Sequence, residues 1–274
     1  MPYITGSDET ELFVTDTGSG QPLILIHGGF MSHRVWDYQI ERLSDEYRVI
    51  ALDLCGHGAS AKPYLDYTPK RFAQDIADLL ETLELDQGIL VGWSLGATVA
   101  ATYLTEYKNP IEGTVFLSSG IFEGIAHSGS QSTEGLDFDS LIQAHRSNRP
   151  DAMMAFVSGF FAEAPSQTMQ HWLWSIGMEC PMYVGIDVLE LYRDMDHSRL
   201  EKRLSNIDIP TAVFHGAHDT AASLTDAEFV AAEVLPNATF VPFPESGHVP
   251  FLEQRELFNE ELVSYIKSVY SSPL

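Results

Sequence analysis

The residues from Gly88 to Ala101, GILVGWSLGATVAA, constrain this chain more than any others. A short apolar run, Ile89, Leu90 and Val91, enters Gly92-Trp93-Ser94-Leu95-Gly96, and an alanine-rich segment that reads as helix leaves it. A strand that turns sharply into a helix through G-x-S-x-G exposes its serine. The flanking glycines let the backbone turn without a Cβ clash and lift the Ser94 hydroxyl off the sheet edge. Leu95 opens the helix, so its N–H lacks an intrahelical partner and can face an oxyanion. The same five residues also describe an ordinary Gly-Ser turn between a buried strand and a helix, so reading Ser94 as a nucleophile depends on partners elsewhere in the chain.

Strands and helices alternate on both sides of this stretch. Glu11 to Thr17 alternates as at a sheet edge, Pro22 to Ile26 is fully apolar as in a buried parallel strand, and Tyr47 to Leu54 is another such run. Val35, Trp36, Ile40 and Leu43 keep a helical stripe, and Thr68-Pro69 caps a helix whose buried face is Phe72, Ile76, Leu79, Leu80 and Leu83. Gly113 to Ser119 follows as a strand. This alternation predicts an α/β fold with a doubly wound, mostly parallel sheet.

From Ile121 to about Ser205 the strands stop. Helical patterns rich in Met153, Phe156, Val157, Phe160, Phe161, Met169, Trp172, Trp174, Met178, Met182 and Tyr183 take their place, after a Gly- and Ser-rich lead-in from Gly124 to Glu134. The organisation expected is a core of residues 1–120 and 206–274 with a helical cap, 121–205, inserted over the ligand crevice. The apolar surface of that cap would line a pocket, although any single one of these side chains is better explained by packing within the cap or against the sheet.

The sheet resumes at Pro210 to Phe214 and at Ala238 to Pro242, separated by a helix from Leu224 to Leu235, and the chain closes with a helix from Phe251 to Tyr270. Asp219 and His248 fall in the loops after those two strands, on the edge expected to carry Ser94. An imidazole is what a serine hydroxyl needs to become a nucleophile, and a carboxylate orients the imidazole, so Ser94, His248 and Asp219 are the candidate catalytic residues. His27-Gly28-Gly29-Phe30 follows the Pro22 to Ile26 strand. Its glycines permit close backbone approach, so Gly29 and Phe30 join Leu95 as candidate substrate-binding positions, with the Phe30 N–H as second oxyanion donor and His27 as structural. Trp93, beside the nucleophile, either walls the pocket or packs in the core. The turn Asp53 to Ser60 (DLCGHGAS) carries no G-K-[ST] and reads as structural, with His57 a weak pocket candidate.

Composition narrows the partners. With 39 acidic and 15 basic residues the net charge is −24, which disfavours nucleic acid and anionic membranes as partners. The charge fits either a simply acidic soluble protein or adaptation to high salt. The N-terminus has no basic and apolar leader, and no run of 18 apolar residues occurs, so a cytoplasmic chain is expected. Cys55 and Cys180 have no metal-ligand spacing and read as reduced thiols. His215, His218 and Asp219 lack a further ligand set, so neither metal nor other cofactor is expected. The oligomeric state is left open, a homo-oligomer included.

The ordered motifs HGGF, DLCGHGAS, GWSLGA, HGAHD and SGHVPF resemble those of the α/β-hydrolase superfamily over essentially the whole chain, and within it the chain is similar to the cofactor-free haloperoxidase/esterase and lactonase group. The resemblance implies an α/β-hydrolase fold, a Ser-Asp-His triad and a small-molecule ester or lactone substrate of largely apolar character. Perhydrolase, thioesterase and C–C hydrolase chemistry use the same triad, and some proteins of this fold are small-molecule receptors. Cofactor-free haloperoxidases usually carry proline after HG-x, where this chain has Phe30. Ser94 in place of aspartate argues against dehalogenase or epoxide hydrolase chemistry.

Overall fold

Apolar runs bounded by turn residues become the strands of one eight-stranded sheet in the computed structural model, which describes residues 2–107, 110–122, 136–236 and 238–271, the side chains of 197–199 excepted. In chain order the strands are β1 (Tyr3–Thr5), β2 (Glu11–Gly18), β3 (Pro22–Ile26), β4 (Arg48–Leu52), β5 (Gly88–Trp93), β6 (Ile111–Leu117), β7 (Thr211–Gly216) and β8 (Thr239–Phe243). Their order across the sheet is β1-β2-β4-β3-β5-β6-β7-β8. The β1–β2 and β2–β4 pairs are antiparallel and every other pair is parallel. Every residue of β3, β5 and β7 is buried, as expected for central parallel strands covered on both faces.

The helices are α1 (Asp37–Leu43), α2 (Pro69–Thr82), α3 (Leu95–Glu106), α4 (Phe138–Ser158), α5 (Gln167–Glu179), α6 (Met182–Arg193), α7 (His197–Leu204), α8 (Leu224–Phe229), α9 (Pro250–Glu253) and α10 (Arg255–Ser271). Thr68 caps α2 as its sequence requires: its side chain accepts the Arg71 N–H, and Pro69 takes the first helical position, where a missing N–H costs nothing. The helices α4 to α7 occupy the stretch between β6 and β7. Pro150 interrupts α4, with Asn148 at φ −151° and ψ 81°, because a proline inside a helix lacks the N–H and collides with the preceding turn. The lead-in from Gly124 to Glu134 lies outside the described residues.

The structure amends the sequence reading in three places. β2 is not an edge strand, since the short β1 pairs along its outer side. The 224–235 helix ends at Phe229 and continues as a π turn over Val230–Val234. The final helix is broken at Gln254, whose φ of −113° and ψ of 53° separate α9 from α10. That break turns out to matter for the site.

Candidate active site

The turn from β5 into α3 is forced by its neighbours. A Cβ on Gly92 would stand 2.3 Å from the Gly96 carbonyl oxygen, and one on Gly96 would stand 2.3 Å from Ile26 O, so neither position tolerates a side chain. Between them Ser94 is held at φ 53° and ψ −111°, with its N–H donating to Leu117 O at 2.9 Å. Such a backbone is costly for a residue with a Cβ and persists only where the surroundings impose it. Phe30 after β3 (φ 66°) and Ser118 after β6 (φ 45°) share this left-handed region. Three of the five non-glycine residues at positive φ among the described residues thus follow the carboxyl ends of three adjacent central strands, Glu9 and Glu84 being the others. Ser94 is half-buried there, at the N-terminus of α3.

Two further strand ends supply the other polar groups. His248 Nδ1 lies 2.8 Å from Asp219 Oδ2, and both side chains are nearly enclosed. The other carboxylate oxygen, Oδ1, accepts the N–H groups of Ala221 at 2.8 Å and Ala222 at 3.0 Å. Burial pushes the Asp219 carboxyl up, but the charge and hydrogen bond of His248, then His215 and the loop amides, pull it below the usual carboxylate range. Asp219 is therefore a charged acceptor that fixes the Nδ1–H tautomer of His248 and leaves Nε2 over. Ser94 is linked to this pair through its neighbour: the Trp93 indole N–H donates to His248 O at 2.8 Å, and the two rings stand 5.5 Å apart. Among the described residues no hydrogen bond joins Ser94 Oγ to the imidazole in this conformation.

The backbone amides expected to face an oxyanion, those of Leu95 and Phe30, belong to the turns that follow β5 and β3. The N–H groups of Gly29, Phe30 and Leu95 have no acceptor among the described residues, and Gly29 lies against the Ser94 turn, where a Cβ would be 3.9 Å from Leu95 Cβ. The Phe30 ring itself is buried: it stacks on His145 at 5.0 Å, meets Phe156 edge-on at 5.3 Å and fills the space that a side chain at Gly185 would need. The Phe30 side chain is thus spent on packing, and its backbone N–H is left without a partner among the described residues.

The inserted helices reach this edge. Phe160 lies 5.4 Å from the His248 ring and 5.5 Å from Trp93, Phe156 packs on Phe160 at 4.9 Å, and a Cβ on Gly29 would stand 3.1 Å from Val188 of α6. The apolar wall anticipated from the composition of 121–205 therefore narrows to a few side chains. Trp174 by contrast donates to Pro150 O, and holds the insertion to itself.

Trp93, expected among the substrate-binding residues, is 1% exposed and enclosed by Phe160, Phe251 and His248, so it supports the histidine loop from behind. His27 is structural: Nδ1 pairs with Gly28 O at 2.8 Å, Nε2 accepts the Leu54 N–H at 3.1 Å, and burial lowers its pKa to about 4. His57 is no pocket residue, being fully buried against His27 and Phe72 with its pKa lowered to about 3 by that burial. Cys55 and Cys180 are free and buried, their thiols pushed up to about 11 and about 12 mainly by burial, which makes them unreactive. His215 and Asp219 stand 3.6 Å apart, yet no group of three or more His, Cys, Asp or Glu among the described residues is arranged for a metal ion. No helix among them is long and apolar enough to cross a membrane. Sequence reasoning passed over Glu253, and it named Phe160 only as one of the many apolar side chains of the insertion. Glu253 had one visible signal, its place shortly after His248 in HVPFLE.

The chain as a whole is similar to known proteins. The chain is 30% identical to a non-heme chloroperoxidase of Streptomyces lividans, over 98% of this chain and 100% of that protein. Among solved structures it superposes on an esterase from Exiguobacterium antarcticum with TM-score 0.90 and 30% identity, covering 97% and 98% of the two chains. A bromoperoxidase from Bacillus anthracis follows with TM-score 0.87 and 27% identity, covering 97% and 99%. The family described as alpha/beta hydrolase fold matches residues 21–254, and with a sheet, turn and loop order of this kind the chain belongs to that family and to its haloperoxidase/esterase group.

Proposed function

We propose that this hydrolase cleaves carboxylic esters or lactones of small to medium, largely apolar acids through an acyl-enzyme, with Ser94 as nucleophile, His248 as general base and Asp219 as its orienting partner. The observation that carries the reading is the Asp219–His248 pair at 2.8 Å beside a strained, half-exposed Ser94. Ser94 Oγ attacks the carbonyl carbon while His248 Nε2 takes its proton, and the imidazolium then returns that proton to the leaving alkoxide. Asp219 stabilises the imidazolium without being protonated itself, in keeping with its lowered pKa. The Leu95 N–H and an N–H of the Gly29–Phe30 turn hold the oxyanion, each worth about 3 kcal/mol in the transition state. Water activated by the same imidazole releases the acid.

Phe30 favours hydrolysis over perhydrolysis. The resemblance implies proline at this position for perhydrolases, and proline is locked near φ of about −65°. Phe30 stands at φ 66°, so the turn follows a path that a proline could not take. An esterase/perhydrolase of Acinetobacter calcoaceticus, 26% identical over 98% of this chain, is among the relatives and makes the comparison practical.

The test is hydrolysis of p-nitrophenyl esters from acetate to decanoate, with a lactone panel, by wild type and Ser94→Ala. Turnover lost in the variant and a short-to-medium chain optimum are expected. Tight binding of such esters by the folded wild type without turnover would instead point to a receptor.

A further inference from the structure

We propose that Glu253 is a positioning residue for the general base: its carboxylate ties the histidine loop to residues 159–162 of the helical insertion, so that the insertion sets where the His248 imidazole stands. The proposal rests on reading His248 as the base.

Glu253 ends α9, at the break that Gln254 introduces before α10. Its Oε2 accepts the Gly247 N–H at 2.7 Å and its Oε1 accepts the Ala162 N–H at 2.8 Å. One carboxylate thus bridges the residue before His248 and a residue of the insertion. Only a side chain with acceptors at both ends can do this, since a glutamine would turn an NH2 group toward one of the two N–H donors. Burial raises the Glu253 pKa, while the Gly247 and Ala162 N–H groups oppose that rise by favouring the carboxylate.

The bridged segment touches the loops of both the base and its acidic partner. Phe160 O accepts the His248 N–H at 2.6 Å, and Gly159 O accepts from Thr220 Oγ1, next to Asp219, at 3.4 Å. The fit leaves no slack: a Cβ on Gly247 would stand 2.6 Å from Phe160 O and 2.8 Å from Ala162 N. The neighbouring Gln254 shows the contrast, because its Oε1 accepts from Glu245 N at 2.9 Å and Ser246 Oγ at 3.0 Å and so closes the loop only on itself. Glu253 alone of the two crosses to the insertion.

The experiment compares wild type, Glu253→Gln, Glu253→Ala and Glu253→Asp by p-nitrophenyl butyrate kinetics. Folded enzyme is counted by active-site titration, and the Nδ1 proton of the Asp219–His248 hydrogen bond is followed by its far-downfield NMR resonance. A shift of about 1 Å in a reacting group is worth up to about a hundredfold in rate. The expected result is a kcat about 10- to 100-fold lower in the Gln and Ala variants with KM within about threefold, partial recovery in Asp, and a shifted or broadened resonance. A kcat per folded molecule within about twofold of wild type, or an unchanged resonance, overturns the proposal. If wild type hydrolyses no ester, the reading of the base falls, and the resonance by itself still decides whether Glu253 holds the pair.

Discussion

Two glycine-punctuated turns follow parallel strands in this chain, and they differ in what happens to their polar groups. After β4, the turn from Asp53 to Ser60 is tied down by hydrogen bonds within itself and to the segments packed around it. The buried Asp53 carboxylate accepts His33 N–H at 2.6 Å, His33 Nδ1 at 2.8 Å and Ala59 N–H at 2.7 Å, and Ser60 Oγ donates to Asp53 O at 2.5 Å. Gly58 at φ 45° is there because a side chain would collide with that carboxylate. After β5, the turn carries positive φ on Ser94 rather than on a glycine and so is strained, yet its hydroxyl has no partner among the described residues and stays half-exposed. Both turns look alike as glycine patterns. A turn whose carboxylate is spent on the N–H groups packed around it is a brace, and one whose strain presents an unspent hydroxyl is a candidate site.

The largest effect that would sharpen this contrast is on rate. Ser94→Ala is expected to lower ester kcat/KM by at least about a thousandfold. Its melting temperature should stay near that of wild type, since the backbone strain is imposed by Gly92, Gly96 and their neighbours and the lost hydroxyl had no partner. Parallel kinetics and thermal melts check it. Residual turnover above a tenth of wild type would make the Ser94 turn a brace like the other.

Acid should act on the first turn and its surroundings. Burial lowers the pKa of His27 to about 4 and of His57 to about 3, from 6.5, so the folded chain keeps both rings neutral while the unfolded chain takes up protons below 6.5. Their contribution to stability is complete above pH 6.5 and is lost as pH falls through the window toward 4, by roughly 3 kcal/mol for each ring. Urea unfolding at pH 7.5, 6 and 5 measures this slope. His57→Gln should flatten it by up to about 1.4 kcal/mol per pH unit whatever its own stability at pH 7.5. An unchanged slope would mean that His57 is hydrated and that the turn is looser than its contacts imply.

How far the sequence carried the reading follows the same division. The parallel sheet, the Thr68 cap, the elbow and the loops of Asp219 and His248 were legible because each rests on local rules: an apolar strand, a cap, a glycine where a side chain cannot fit. The brace around Asp53 was read as structural, but its reason was not visible, because His33 and Ala59 meet Asp53 only in the fold. Glu253 was missed for that reason also: its partners, Gly247 and Ala162, are brought together by a break at Gln254 that no glycine or proline announces, and Phe160, named among the apolar side chains of the insertion, could not be singled out before His248 was placed beside it. β1 escaped notice because three residues are too few to show an alternation.

A smaller effect breaks the brace directly. Asp53→Asn keeps the shape but removes the charge and turns a donor toward one of the N–H groups that Asp53 now accepts, which should cost about 2 kcal/mol in denaturant unfolding. Each folded molecule should keep a kcat within about threefold of wild type. A lost kcat at unchanged stability would move Asp53 from the brace to the chemistry and collapse the distinction between the two turns.

Salt should give the smallest effect. A net charge of −24 repels itself across the surface, and at about 1 M ionic strength the screening length falls to about 3 Å. Stability should rise by about 1 kcal/mol between low salt and 1 M, or about 2 °C in a thermal melt. Because Asp53 and its carboxylate are 0% exposed, its hydrogen bonds are screened far less than surface charges. Wild type and Asp53→Asn should therefore rise together, with the gap between them constant from low salt to high. If the gap closes as salt is added, the first turn is held by long-range charge rather than by its buried hydrogen bonds, and it owes its shape to the acidic surface instead of to its own sequence.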